Sequence, residues 1–465
     1  MRNRYLDLLR AAAILRVVVY HLFGWPWLSI LLPAMGIMFA LAGSLTAASL
    51  DKRSAGKVVT SRLRRLLPPL WLLGVLAVPF MIYQGWAAQD GGESPWSWKL
   101  GLWILPVGDP PGSIAGIDAW EPLWYIRAYL WFVVLSPLMY LAYKKTGWFA
   151  VATPLVVLAV LDRTGFSLPF GRADSAMWDF VTYGACWVAG FAHHDGRLFR
   201  LRAGVAYPLV AVLGAAALYW LHGHGADSGY DLNELPEAQA LWSVAFVILA
   251  LRWRPDMTWL TYVRPLDRTV TLLNGRAVTI YLWHNIAIAA IWPVLTVLAL
   301  DDLSGGMEGP VELAMTLLLT GVAVLAFGWA EDLAARRKPR LWPTAPATDR
   351  GGPPRQEAAP MRQGAAPTPQ GAAPVPEGAA PIPQGAAPAL VAAPPDAGRA
   401  HPDVAGDGYE DEPTLSIGIG TPEQRRPVED HDGPLDRYGP VHDPGPGLHT
   451  EEEPEVTWFS QPEKH

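Results

Sequence analysis

The sequence predicts an all-α polytopic membrane protein of about ten transmembrane helices, followed by a disordered cytoplasmic C-terminal tail. Hydrophobic residues make up 51% of the 465-residue chain. They are concentrated in long apolar runs between residues 11 and 329, and a helix needs about 20 such residues to cross a membrane. After residue 343 the chain becomes rich in Pro, Ala and Gly. These observations predict a membrane domain at 1–343 and a tail at 344–465.

The charges divide the chain at nearly the same place. Residues 1–345 carry 28 Lys and Arg against 23 Asp and Glu, whereas residues 346–465 carry 8 against 20. A seven-residue unit that begins QGAAP or EGAAP recurs four times near residues 363–390. Proline in every unit argues against a coiled coil and favours an extended, disordered spacer. The single cysteine, Cys186, excludes an intrachain disulfide and a thiolate metal cluster.

The apolar runs give ten predicted spans, of which the fifth and sixth are the shortest. Lys and Arg accumulate in cytoplasmic loops, and with the N-terminus inside, the inner segments hold 23 of them and the outer loops 3. We therefore expect a multi-pass protein of the cell membrane with both termini in the cytoplasm. Arg16 interrupts the first run, which favours an uncleaved span over a secretory signal. The spans lie at 9–28, 30–50, 66–86, 122–143, 148–161, 176–193, 204–222, 236–251, 276–299 and 310–330.

The first span carries two ionisable residues that a helix would bring to one face. Ten residues separate Arg10 from His21, so a helix turns by about 1100° and rises by about 16 Å between them. Asp7 lies one turn before Arg10 and is placed to orient it. A lone histidine in a span can be an ordinary packed residue. Because ionisable groups are costly inside a membrane, the pairing with Arg10 favours His21 as a base that takes the proton of a hydroxyl.

Two later segments place similar groups at the same two depths. Arg62 and Arg65 precede the third span and suit phosphate recognition, although topology and lipid contact would also explain them. Pro68 and Pro69 predict an abrupt helix start directly after these arginines. In the ninth span, His284 is expected at the depth of His21, with Tyr281 one turn below it.

Three other features have two interpretations each. Arg127 either pairs with a carboxylate such as Glu121 or stabilises an oxyanion. The tryptophans of the longest outer loop, 87–120, favour a segment lying on the membrane surface, with a platform for a sugar ring as the alternative. His193 and His194 are expected to cap the sixth span at its inner end. No metal-ligand spacing and no nucleotide-binding glycine loop occurs.

Together these segments resemble the membrane acyltransferase-3 family over residues 3–335. The family's Arg-x10-His motif is matched by Arg10 and His21, and its Arg-x-x-Arg motif by Arg62 and Arg65. The segments LWYIRAYLWFVVLSPLMY (123–140) and IYLWHNI (280–286) are also similar to family segments. The chain departs from the family's Phe-Phe-x-x-Ser-Gly pattern in the second span, where Ala42 stands in place of the serine.

The resemblance implies an integral-membrane O-acyltransferase that moves an acyl group, expected to be acetyl, from acyl-CoA to a hydroxyl. The implied acceptor is a glycan, a lipid-linked sugar or a glycosylated metabolite. Acyl-CoA is the co-substrate, membrane lipid is the surrounding partner, and no cofactor, metal or nucleic acid is implied. The implied roles are catalysis, as base or nucleophile, by His21; donor binding by Arg10, Arg62 and Arg65; and support by Asp7, Arg127, Tyr281 and His284.

Two alternatives belong to other classes of protein. A transporter of an anionic metabolite would use intramembrane Arg and His to bind its substrate and relay protons, and it predicts that unchanged substrate accumulates. A membrane scaffold would act through its acidic tail, and it predicts that deletion of residues 346–465 destroys function. The acyltransferase predicts release of CoA and little catalytic loss on the same deletion.

Overall fold

The computed structural model describes residues 3–86, 94–226, 229–300 and 306–341, and within these ranges the protein is helical, without a β-strand. The predicted tail, 344–465, lies outside the described residues. We label the helices that carry the argument in chain order. They are α1 (Arg4–Phe23), α2 (Ala34–Leu50), α3 (Ala55–Tyr83), α4 (Trp124–Thr146), α5 (Trp148–Thr164), α6 (Gly171–His194), α7 (Ala203–His224), α8 (Pro236–Arg252), α9 (Arg264–Gly275), α10 (Ala277–Ala289), α11 (Ile291–Val297), α12 (Glu308–Phe327) and α13 (Trp329–Ala334).

Shorter helical segments connect these helices within the described residues. The short α-helices are Trp27–Leu31, Ile117–Trp120, Arg197–Arg200 and Thr258–Tyr262. The 3-10 helices are Trp98–Trp103, Ile114–Gly116, Glu121–Leu123 and Leu232–Glu234.

Five helical segments are long and apolar enough to cross a membrane. The count rises to six if two helices joined at a bend are taken as one span. The bent pair is α10 and α11, whose axes differ by 51°. The protein is therefore a helical membrane protein. All ten predicted spans overlap a helix, but α1, α5, α6 and α8 are too short or too polar to meet this criterion, so the count of ten spans stays a prediction. The five segments are Trp27–Leu50, Ala55–Tyr83, Ile114–Thr146, Ala203–His224 and Glu308–Phe327.

The start of α3 differs from the sequence-based prediction. Pro68 and Pro69 do not begin this helix, which starts at Ala55 and runs for 29 residues with both prolines inside it. A proline in a helix interior removes one backbone hydrogen bond. Membrane helices tolerate that loss because neighbouring groups satisfy the freed carbonyl. Arg62 and Arg65 consequently lie within a continuous helix, three residues apart on one side of it.

The centre of the bundle depends on a close approach of α2 to α6. A Cβ atom on Gly43 would lie 2.2 Å from the carbonyl oxygen of Trp187, and one on Gly190 would lie 2.1 Å from that of Ala40. Only glycine fits at these two positions, as is common where membrane helices pack backbone to backbone. The side chain of Trp187 stacks on Phe132 of α4 with ring centroids 4.9 Å apart. This contact fixes α4 against the α2–α6 pair.

His193 and His194 end α6, as expected, and both connect it to α2. The Nδ1 atom of His193 lies 2.8 Å from Oγ of Ser44. The Nε2 atom of His194 lies 2.8 Å from a carboxylate oxygen of Asp51. These hydrogen bonds hold the two helices together at the end of the bundle that the charge distribution assigns to the cytoplasm.

The described part of the long outer loop is held by tryptophan side chains. Four indole N–H groups, all between 2.7 and 3.0 Å from their acceptors, donate to backbone carbonyls of the segment 104–113. Trp96 and Trp98 are instead exposed, at 79% and 82%, which fits either interpretation of this loop. The four donors are Trp71, Trp103, Trp120 and Trp131.

Candidate active site

Helix α1 carries Arg10 and His21 without a break. The Asn3 side chain caps its first turn by accepting the N–H of Tyr5 at 3.1 Å. Gly24 ends it with a φ of +61°, a conformation that glycine adopts without strain. His21 therefore lies in the last turn. The regular helix between the two residues gives the rise of about 16 Å that the sequence predicts.

The rings of His21 and His284 are in edge-to-face contact, with centroids 4.9 Å apart. In His21 the Nδ1 atom lies 2.8 Å from the carbonyl oxygen of Val17, and in His284 it lies 2.7 Å from that of Tyr281. Because a carbonyl oxygen only accepts hydrogen bonds, both Nδ1 atoms carry the proton. In the neutral rings both Nε2 atoms are then acceptors.

The two histidines differ in their surroundings. His21 is exposed, whereas His284 is fully buried and its Nε2 atom has no hydrogen-bond partner among the described residues. An accessible imidazole with a free Nε2 lone pair can take a proton from a bound hydroxyl. The buried neighbour fixes the orientation of its ring.

A row of tyrosine rings leads away from this histidine pair. Tyr281 lies 5.7 Å from His284 between ring centroids, and Tyr125 of α4 lies 4.9 Å from Tyr281. Tyr129, one turn further along α4, lies 6.3 Å from Tyr125. The hydroxyl of Tyr281 donates to the carbonyl oxygen of Pro122 at 2.5 Å, which fixes the middle of the row.

The other end of the row lies within electrostatic range of Arg10. The charge of Arg10 interacts with Tyr125, Tyr129 and Arg62, and Arg62 also acts on Arg65. Within the described residues, none of the three arginines forms a salt bridge with a carboxylate. Three guanidinium groups without a paired carboxylate are suited to bind an anionic ligand.

Asp7 has a different contact from the one expected. It forms a salt bridge of 3.2 Å with Arg4, and it acts on Arg10 only as a nearby charge. Arg4 also pairs with Asp267 of α9. Asp7 therefore helps, through Arg4, to fix the start of α1 against α9, and its role in orienting Arg10 stays a prediction.

Arg127 is held by two carboxylates, neither of which is Glu121. Its guanidinium pairs with Asp109 of the outer loop and with Asp179 of α6, and the side chain is only 3% exposed. Arg172 donates to the backbone carbonyl of Asp109 at 2.7 Å. We call the three residues Asp109, Arg127 and Asp179 the outer clamp, because they join the outer loop to α4 and α6.

Sequence reasoning assigned no role in this site to Tyr125, Tyr129 or Arg16. The spacing of Tyr125 and Tyr129, four residues apart in a helix, is the signal that would have placed them on one face. Arg16 is 8% exposed, donates to the carbonyl oxygen of Leu28 at 3.2 Å, and lies over the ring of Tyr20 at 4.5 Å. It connects α1 to the short helix after it.

In the part of the chain that the structure describes, no group of three His, Cys, Asp or Glu side chains is placed to hold a metal ion.

Comparison with protein families matches residues 3–330 to the acyltransferase domain of the acyltransferase-3 family. Comparisons with curated proteins and with solved structures give no match. Since the matched region covers well over half of the chain, the protein belongs to the acyltransferase-3 family of membrane acyltransferases.

Proposed function

We propose that the protein is an integral-membrane O-acyltransferase that moves an acyl group, in the first instance acetyl, from acyl-CoA to a hydroxyl of a carbohydrate or glycosylated acceptor. The observation that supports the proposal is the row of ring contacts from the histidine pair through Tyr281 and Tyr125 to Tyr129, whose far end is within electrostatic range of Arg10. The arginines at one end are suited to bind an anion, and the histidines at the other end are suited to transfer a proton. Family membership favours this function over the transporter.

Arg10, Arg62 and Arg65 would hold the phosphates of the donor. Guanidinium groups bind phosphate with paired, charge-assisted hydrogen bonds, and these three have no salt-bridge partner of their own among the described residues. The pantetheine arm would follow the tyrosine row, since the rise of about 16 Å from Arg10 to His21 is a suitable length for it. The thioester would then lie beside His21.

His21 would act as the base. As the acceptor oxygen forms its bond to the thioester carbonyl carbon, Nε2 of His21 takes the hydroxyl proton. The C–S bond then breaks, and the departing sulfur receives that proton to give free CoA. The same lone pair would also allow His21 to carry the acyl group itself as a nucleophile. His284 and Tyr281 would position the ring of His21.

Arg127 is better suited to positioning than to stabilising an oxyanion. Both of its terminal nitrogens are engaged by carboxylates of the outer clamp. The clamp would fix the outer loop beside the site where an acceptor enters. In this proposal the donor arrives from the cytoplasm at the arginine end, and the protein resides in the cell membrane with both termini inside.

The test is transfer of label from radioactive acetyl-CoA in everted membrane vesicles that contain the protein. We expect wild-type vesicles to yield labelled, non-protein, polar material together with free CoA, and His21→Ala vesicles to yield neither. His224→Ala is the matched control, because His224 is an exposed histidine that stacks on Trp220. Uptake of intact acetyl-CoA without CoA release would favour the transporter and contradict the proposal.

A further inference from the structure

A groove between the outer loop, α4 and the start of α6 has no role in the proposed transfer. Its volume is about 730 Å³, which is enough to bury a drug-sized ligand. Among the described residues that line it, Lys99 and Arg172 are the only charged ones, and the remainder are apolar side chains and two glycines. The larger apolar side chains are Trp98, Leu102, Trp131, Leu135, Met177 and Phe180.

Three contacts fix the walls of this groove. The indole N–H of Trp131 donates to a backbone carbonyl of the outer loop at 3.0 Å. The Nε atom of Arg172 donates to the carbonyl oxygen of Asp109 at 2.7 Å. The ring of Phe180 stacks on that of Phe132 with centroids 4.8 Å apart. The loop, α4 and α6 are thereby held to one another, so the groove has a defined shape.

The groove faces away from the proposed donor path. Trp131 lies six residues beyond Tyr125 on α4, so the helix turns by about 600° between them and leaves the two side chains about 120° apart. Trp98 and Phe170, at the edge of the groove, are exposed. Because α4 belongs to a candidate membrane span, this exposed edge borders the lipid bilayer.

The cations of the groove are unusual for their position. In the orientation that we propose, the outer loops hold 3 Lys and Arg against 23 in the inner segments. The three are Lys99, Arg163 and Arg172, and two of them line this one groove. Membrane proteins place few Lys and Arg in their outer loops. Two of them in an apolar groove therefore indicate a ligand that joins a negative charge to a hydrocarbon chain.

We propose that this groove binds an anionic glycerophospholipid of the outer leaflet. One hydrocarbon chain lies along Leu135, Met177 and Phe180, and the phosphate accepts charge-assisted hydrogen bonds from Lys99 and Arg172. A soluble anion would gain nothing from the apolar walls, and a zwitterionic lipid would gain less from two cations. The site is separate from the donor path, so it does not rest on the proposed acyltransferase activity.

The test is quenching of a fluorophore at the groove by brominated lipids. The full chain with Ala173→Cys is labelled and reconstituted in phosphatidylcholine vesicles that contain brominated phosphatidylglycerol or brominated phosphatidylcholine. Ala173 is exposed and lines the groove. The native cysteine, Cys186, is buried and does not take up the label in the folded protein. We expect the relative binding constant for phosphatidylglycerol to be about tenfold that for phosphatidylcholine.

The same measurement with Lys99→Gln/Arg172→Gln should give nearly equal binding constants for the two lipids. Lys99→Gln alone leaves the bond from Arg172 to Asp109 in place and should lower the preference about threefold. Arg163→Gln removes the third outer cation, which does not line the groove, and should keep the full preference. A label at Val212→Cys, an exposed position on α7, should be quenched equally by both lipids.

Three results would overturn the proposal. They are a groove label that shows no preference in the wild type, a preference that survives loss of both groove cations, and an equal preference at position 212. The last result would show that the whole outer surface, and not the groove, attracts anionic lipid. None of them would bear on acyl transfer, because the assay contains no acyl donor.

Discussion

Replacement of Arg127 tests whether the outer clamp is a structural element. Arg127→Leu leaves Asp109 and Asp179 without their shared partner. Removing one partner of a buried ion pair costs about 3–5 kcal/mol. The two carboxylates keep side-chain exposures of 32% and 22%, so water can solvate them in part and we expect a loss of about 2–3 kcal/mol.

The loss is measured as the midpoint of thermal unfolding in one detergent, followed by tryptophan fluorescence. A destabilisation of this size should lower the midpoint by about 4–6 °C. Arg163→Leu is the control, since Arg163 is 77% exposed and only 4.0 Å from Asp162, and it should change the midpoint by less than about 1 °C.

A compensating variant distinguishes the loss of the ion pairs in the outer clamp from other effects of replacing Arg127. Arg127→Leu/Asp109→Asn/Asp179→Asn removes all three charges, and replacing a complete ionic group is close to neutral. It should recover at least half of the lost stability. An Arg127→Leu protein as stable as the wild type, or a triple variant less stable than the single one, would refute the clamp.

Two further predictions concern packing and positioning. Gly190→Val should yield no folded protein in a size-exclusion assay, because its Cβ would lie 2.1 Å from a carbonyl oxygen of α2. The control Gly321→Val should fold, because no atom lies within 4 Å of the added Cβ. Equal yields of folded protein from the two variants would contradict the close packing of α2 on α6. Tyr281→Phe removes the hydroxyl bond to Pro122, a loss of about 1 kcal/mol, but keeps the backbone carbonyl that holds His284. It should slow acyl transfer by less than about tenfold at unchanged CoA affinity, and a complete loss of transfer would show a direct role for the hydroxyl.

Sequence periodicity was sufficient to place Arg10 and His21 on one helix and to find the helical segments. Helix geometry fixes the rotation and rise between residues of one element, so a single sequence determines them. It does not determine which helices touch. The contact of His21 with His284, and the tyrosine row on α4, depend on how α1, α4 and α10 pack.

The errors have physical causes of the same kind. Pro68 and Pro69 favour a helix start in isolation, but α3 continues through both of them, which membrane helices tolerate when other groups satisfy the freed backbone carbonyls. The partner of Arg127 depended on where the outer loop folds, and Asp109 reaches it while Glu121, closer in sequence, does not.

The most direct test of the central claim is thiol release from acetyl-CoA by the purified protein, with CoA binding measured on the same samples. We predict that the wild type releases free thiol, and that His21→Ala binds CoA as tightly as the wild type but releases none. Thiol release by His21→Ala at the wild-type rate would contradict the assignment of His21 as the catalytic residue.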